Sequence, residues 1–148
     1  MIQRIQTIFM ILAACALSVQ AFTPLLHSSI NAQSGIFQDG NVFIKENIPA
    51  YALLWTATIM TIIAIFIFKN RKTQKLLVLL SILVVLACNL TSGLSFFAPS
   101  EAIVNNLHAS ISPGIGAFMP LVGLITLLLA YRGINKDDKI VKSMDRLR

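Results

Sequence analysis

The stretch that decides the fold is KNRKTQK, residues 69–75, which places four positive charges between two long apolar runs. These runs, 48–68 and 76–98, contain no Asp, Glu, Lys or Arg. An apolar run of about 20 residues is long enough to cross the hydrocarbon core of a bilayer as a helix. Because only the short basic connector separates the two runs, we predict that they form antiparallel neighbouring helices.

The composition points to a membrane protein and away from a soluble domain. Of the 148 residues, 56% are hydrophobic and 12% are charged, and the mean hydropathy is +0.78. Soluble domains are about twice as rich in charged residues. The net charge of +6 could suggest nucleic acid, but the basic residues fall in predicted loops and tails and not on a groove-reading helix. The lipid bilayer is therefore the expected partner, and we predict no nucleic-acid partner.

Four apolar segments predict an all-α, four-helix transmembrane bundle that forms one integral membrane domain over residues 1–148. The predicted spans are 5–22, 48–68, 76–98 and 111–131. Proline inside a helix removes a backbone hydrogen bond and usually kinks the axis, so we expect a kink at Pro120 in the fourth span. Pro113, Gly114 and Gly116 lie near the start of that span.

The first span has two alternative readings as a processed segment. Val19-Gln20-Ala21 resembles the end of a cleavable signal peptide, and Leu12-Ala13-Ala14-Cys15 resembles a lipoprotein signal box. The residues after Cys15 stay apolar where a lipoprotein has a polar tether. We therefore expect the first helix to be retained.

Two polar segments outside the spans carry local structure signals. Asp39-Gly40 favours a type I′ turn, so residues 35–38 and 41–44 are predicted to form a short outer hairpin or loop. The tail, residues 132–148, reads as a short amphipathic helix capped by Asn135, which could lie along the cytoplasmic membrane surface. A solvated tail with a weak apolar stripe is the alternative.

The distribution of charge predicts the orientation of the four spans. With four spans, eleven of the 12 Lys and Arg residues fall on one side of the membrane and only Lys45 falls on the other. Cytoplasmic loops carry the excess of Lys and Arg in membrane proteins. We therefore predict a multi-pass protein of the cytoplasmic (inner) membrane with both termini in the cytoplasm. The basic residues on the predicted cytoplasmic side are Arg4, Lys69, Arg71, Lys72, Lys75, Arg132, Lys136, Lys139, Lys142, Arg146 and Arg148.

Three short stretches carry a resemblance to a known family. They are the start, MIQRIQT at 1–7; the connector, FKNRKTQ at 68–74; and the close, KSMDRLR at 142–148. The chain resembles the small multi-pass membrane proteins of domain of unknown function (DUF) 4293. This resemblance implies a Bacteroidota inner-membrane protein with four helices, and it implies no functional residues.

The sequence offers no strong catalytic, cofactor or metal site. The predicted spans hold no ionisable Asp, Glu, Lys or Arg, the residues that usually mark proton and ion paths. Ser92 and Ser95 do not lie in a nucleophile-elbow motif, and no predicted span contains a histidine that could serve as their base. His27 and His108 are expected on the same side of the membrane, but two histidines without a third ligand are typical of ordinary loops. Cys15 and Cys88 are expected near mid-membrane, where they could touch or serve as small packing residues.

One side of the third helix is small and polar. Ala87, Thr91 and Ser95 recur every four residues, with Asn89 and Ser92 nearby. Such a side suits close helix contact and interhelical hydrogen bonds. Packing within the monomer is the expected use. The alternatives are a protein partner or homo-oligomer through Ala87, Asn89, Thr91 and Ser95, and a small ligand cleft. We expect helix three to sit centrally, with this side turned toward Gln20 of helix one and the start of helix four.

These patterns together predict a non-catalytic membrane protein that is an accessory or structural subunit of a membrane assembly. A small oligomeric transporter or channel is the alternative. We predict no enzymatic activity and no cofactor.

Overall fold

Four long helices form a bundle in the computed structural model, which describes residues 2–28, 41–68, 70–97 and 111–145. Each helix is long and apolar enough to cross a membrane. The predicted all-α four-helix bundle is therefore confirmed. The helices are α1 (Ile2–Phe22), α2 (Ile48–Phe66), α3 (Arg71–Phe97) and α4 (Ile115–Asp145).

The helices are arranged around a closed ring of neighbours. The most extensive contacts join α1 to α4 and α2 to α3, and smaller ones join α1 to α2 and α3 to α4. In the most apolar part of α1, 44% of the residues are buried, compared with 33% in α3. The expectation that the third helix sits centrally is therefore wrong, because α1 is the more enclosed helix.

Glycines on α4 explain why α1 and α4 lie so close together. A Cβ atom at Gly123 would lie 3.1 Å from a methyl carbon of Leu17, and one at Gly133 would lie 2.8 Å from Cγ of Gln6. Small residues let the backbones of membrane helices approach closely. The contact between these helices therefore depends on the missing side chains of α4.

Asparagine caps set the starts of α2 and α3. The Oδ1 atom of Asn47 accepts a hydrogen bond from the Ala50 amide at 3.2 Å, and Oδ1 of Asn70 accepts one from the Thr73 amide at 3.4 Å. Because asparagine satisfies otherwise unpaired amides of a first turn, α3 begins five residues before the predicted position 76. Most of the basic connector is thus helical, and α2 ends at Phe66, not at position 68.

The fourth helix continues far beyond its predicted end at position 131. It runs from Ile115 to Asp145 with Pro120 inside it. The prediction of a separate tail helix capped by Asn135 is wrong, because Asn135 lies within α4. Ile134 is 1% exposed, so its contacts with the bundle stabilise this extension.

A small antiparallel sheet lies where α1 ends and where α2 and α4 begin. Its strands, in the order β2-β1-β3, are β1 (Pro24–Ser28), β2 (Asn41–Phe43) and β3 (Ile111–Pro113). A 3₁₀ turn (Ile44–Glu46) leads from β2 into α2. Strand β2 pairs with β1; the predicted partner strand 35–38 and the turn at positions 39 and 40 lie outside the described residues. We call this the sheet end of the bundle, and the opposite end, near Arg71, the basic end.

The interior and the exterior of the bundle are both apolar. Met10, Leu17, Val78 and Leu127 are fully buried, while every helix also exposes large apolar side chains. Surfaces of this kind are stable in lipid and not in water. Examples on the four helices are Ile8 (53% exposed), Ile59 (53%), Leu83 (54%) and Leu121 (60%).

Candidate functional site

Two clefts, one at each end of the bundle, are lined by polar side chains from several helices. The cleft at the basic end has a volume of about 210 Å³ and receives residues from all four helices. Its lining consists of Gln6, Thr7, Ile65, Phe68, Arg71, Gln74, Ile134 and Asp137.

A network of hydrogen bonds joins the helices around the basic-end cleft. The amide of Gln6 donates to Oδ2 of Asp137, and Nη1 of Arg71 donates to the backbone oxygen of Asp137 at 3.3 Å. The amide of Gln74 donates to the backbone oxygen of Ala64 at 3.1 Å. The network thus links α1 and α3 to α4, and α3 to α2.

The carboxylate of Asp137 is the unusual group in this cleft. The side chain is 7% exposed, and Oδ1 has no hydrogen-bond partner among the described residues. Sequence reasoning missed this residue because it ended the fourth span at position 131. The available signal was the spacing of Ala130, Ile134 and Asp137, which lie on one face of a continuous helix.

The cleft at the sheet end has a volume of about 250 Å³. Its lining consists of Gln20, Leu25, Leu26, Asn89, Ser92, Gly93, Ala117 and Pro120. Gln20 is 1% exposed, and its Oε1 has no hydrogen-bond partner among the described residues. The expectation that Asn89 and Ser92 lie near Gln20 and the start of the fourth helix is therefore confirmed.

The hydrogen bonds of the α3 polar groups differ from those expected. Nδ2 of Asn89 donates to the Val85 oxygen at 2.7 Å, and the hydroxyls of Thr91 and Ser92 each donate to the Cys88 oxygen at 2.9 Å. These acceptors are carbonyls of α3 itself. Carbonyls three or four residues back in the same helix satisfy such side chains without a neighbouring helix.

The residues of the predicted small and polar side of α3 do not all face the same part of the bundle. Asn89 is exposed and lines the sheet-end cleft, whereas the backbone oxygen of Thr91 accepts a bond from Nδ2 of Asn47 at 3.4 Å. Residues two apart on a helix point about 200° apart. Ala87 and Thr91 are half-buried, and the side chain of Ser95 lies outside the described part of the chain. Thr91 is thus engaged with α2, and Asn89 is on a different face.

The cysteines and the described histidine have separate surroundings. Cys15 is exposed and Cys88 is buried, and both are free. Sγ of Cys88 donates to the Ala50 oxygen at 3.3 Å, so this thiol packs between α2 and α3. Nδ1 of His27 hydrogen-bonds Oδ1 of Asn41 across β1 and β2, while His108 lies outside the described residues. Within the described part of the chain, no group of three or more His, Cys, Asp or Glu side chains could hold a metal ion.

Comparison with known proteins places the chain in a family and gives no activity. No curated protein and no solved structure matches it. Residues 2–147 match the family described as "Domain of unknown function (DUF4293)". Because the match covers nearly the whole chain, this protein belongs to the DUF4293 family.

Proposed function

We propose that this chain is a non-catalytic integral membrane protein that serves as an accessory subunit of a membrane assembly. The observation that carries the proposal is the exposed amide of Asn89 on α3. Asn89 lies fourteen residues after Lys75 on α3, a rise of about 21 Å. If the basic residues lie at head-group level, the amide lies within a hydrocarbon core that is ~30 Å thick.

An exposed primary amide at this depth suits a protein partner better than lipid. The amide group has two N–H donors and an oxygen that accepts two hydrogen bonds, and Asn89 uses one donor on its own helix. Lipid tails can satisfy none of the remaining capacity. A partner helix with a polar side chain at the same depth can bind here, beside the sheet-end cleft.

The chemistry of the described side chains supports a non-catalytic role. The hydroxyl of Ser92 in the sheet-end cleft is bonded to a carbonyl of its own helix, whereas His27 is engaged with Asn41 on the sheet. A nucleophile needs a base within hydrogen-bond reach. Both side chains are bonded to other partners, so Ser92 and His27 do not form such a pair.

The packing between the two clefts favours an accessory subunit over a transporter formed by one chain. Met10, Leu17 and Leu127 are fully buried between the ends of the bundle. The hydroxyls of the buried Thr58 and Thr61 are bonded to carbonyls of their own helix. An ion or polar solute needs a polar path. A transporter or channel therefore requires an oligomer, which is the alternative outcome of the experiment below.

We further propose that the basic end faces the cytoplasm of an inner-membrane protein. The support is the charge bias described above, in which Lys45 is the single basic residue assigned to the opposite side. Positive residues are retained on the cytoplasmic side during membrane insertion. The partner would then meet Asn89 in the outer half of the bilayer.

Purification of tagged protein in mild detergent, followed by quantitative mass spectrometry, tests the proposed function. We expect a foreign membrane protein at fixed stoichiometry whose recovery falls about threefold in Asn89→Leu, since one interhelical hydrogen bond is worth ~0.6 kcal/mol on average. The matched control is Thr56→Val, which removes an exposed polar group of α2 whose hydroxyl is bonded to its own helix. A symmetric homo-oligomer without a foreign partner would favour the transporter, and equal recovery from both variants would refute the Asn89 interface.

A further inference from the structure

The basic-end cleft is lined by one acidic and one basic residue, Asp137 and Arg71. The two residues touch through the backbone oxygen of Asp137, which accepts a bond from Nη1 of Arg71 at 3.3 Å. Because this bond uses the backbone of Asp137, it leaves Oδ1 of the carboxylate buried and without a partner among the described residues.

Oδ1 of Asp137 would be stabilised by a hydrogen-bond donor. Oδ2 is bonded to Gln6, but Oδ1 has no partner among the described residues although the side chain is only 7% exposed. A buried acceptor without a donor is destabilising, and more so when the acceptor belongs to a charged group. An ammonium group supplies both the N–H donor and the compensating charge.

The guanidinium of Arg71 supplies the complementary half of the site. It has five N–H donors in a planar fork that matches phosphate oxygens. Its bond to the backbone oxygen of Asp137 does not neutralise the positive charge of the guanidinium. The cleft of about 210 Å³ has the volume of roughly seven water molecules at ~30 Å³ each, which is enough for a small group that carries both charges.

The depth of the cleft in the bundle matches the level of lipid head groups. Asp137 lies 22 residues after Ile115, the first residue of α4. This separation corresponds to about 33 Å along the helix, close to the ~30 Å thickness of the hydrocarbon core. The cleft therefore lies at the membrane surface when the start of α4 lies at the opposite surface.

We propose that the basic-end cleft binds an ammonium group joined to a phosphate, with the ammonium on Oδ1 of Asp137 and the phosphate toward Arg71. Two sources have this chemistry: the head group of phosphatidylethanolamine and soluble phosphoethanolamine. The depth of the cleft favours the lipid. This site is separate from the Asn89 surface and does not depend on the accessory function proposed above.

Native mass spectrometry of the full chain in detergent tests the proposal with three lipids that share the same acyl chains. We expect phosphatidylethanolamine to be retained about tenfold more than phosphatidylcholine, whose quaternary ammonium has no N–H donor, and more than phosphatidylglycerol, which lacks the cation. Asp137→Asn should remove this preference. The matched control Asp138→Asn removes the same charge one residue away, from a side chain that does not line the cleft, and should keep it.

The experiment distinguishes the two sources and does not depend on the variants folding. Displacement of the bound lipid by soluble phosphoethanolamine would support the site with the soluble molecule as its ligand, whereas resistance to displacement would support the lipid. Equal retention of the three lipids by the unaltered protein would overturn the proposal, whatever the variants do. An unchanged preference in a folded Asp137→Asn variant would overturn it as well.

Discussion

Replacing Gly116 with alanine should destabilise the bundle at its sheet end. Gly116 is buried, and a Cβ atom there would lie 2.7 Å from the backbone oxygen of Pro24 and 2.8 Å from that of Thr23. Both atoms belong to the backbone that leaves α1, so the clash cannot be relieved by a side-chain rotation. Overpacking of this kind costs about 1–3 kcal/mol, from which a helix-propensity gain of ~0.5–1 kcal/mol is subtracted.

The matched control is Gly93→Ala, because a Cβ atom at Gly93 meets nothing within 4 Å. This variant gains helix propensity without overpacking, so the difference between the two variants isolates the steric cost. At about 2–4 °C per kcal/mol for a chain of this size, Gly116→Ala should unfold ~2–12 °C below Gly93→Ala. The fluorescence of Trp55, the one tryptophan of the chain, can follow thermal unfolding in detergent. Equal unfolding temperatures would refute the argument that the start of α4 requires glycine at its close contact with the backbone that follows α1.

Three further predictions concern the orientation, the first helix and the polar contact at the basic end. In a chain without its native cysteines, an impermeant thiol reagent added outside should label cysteine at Glu46 and not at Thr73; the reverse pattern would contradict the proposed orientation. Intact-mass measurement should find α1 retained, because its residues form much of the core, and a mature chain that begins within α1 would exclude this expectation. Gln6→Met should lower the free energy of unfolding by about 1–3 kcal/mol, because it leaves the buried Asp137 carboxylate without its donor; the exposed control Ile5→Met should have little effect, and equal stability of the two variants would count against this role of Gln6.

The starts of helices show how far local sequence reasoning can reach. The apolar runs located α2 and α3, but the start of α3 required the recognition of Asn70 as a cap. The charged residues after Asn70 do not prevent helix formation, because the first turn of a membrane helix can lie in the head-group region or in water. The cap at Asn70 therefore sets the start of α3. Hydropathy reports where a helix enters the hydrocarbon and not where the helix itself begins.

The grouping of the α3 polar residues shows where local reasoning fails. Asn89 and Thr91 are close in the sequence and were assigned to one surface, yet Asn89 lines the sheet-end cleft and the Thr91 backbone contacts Asn47. Their directions around the helix were available from helical geometry. Which neighbouring helix lies in each direction was not, because that depends on the packing of the whole bundle.

The sequence by itself determined the membrane class, the four apolar helices and the asymmetry of charge, because these properties depend on composition and on runs of adjacent residues. Only the tertiary structure decided that α1 is the most enclosed helix and that α4 extends beyond its predicted end. It also decided that Gln6 meets Asp137, a residue 131 positions away. The physical reason is that the burial of a carboxylate and a close contact at a glycine each depend on two helices. The sequence of one helix does not specify which helix packs against it.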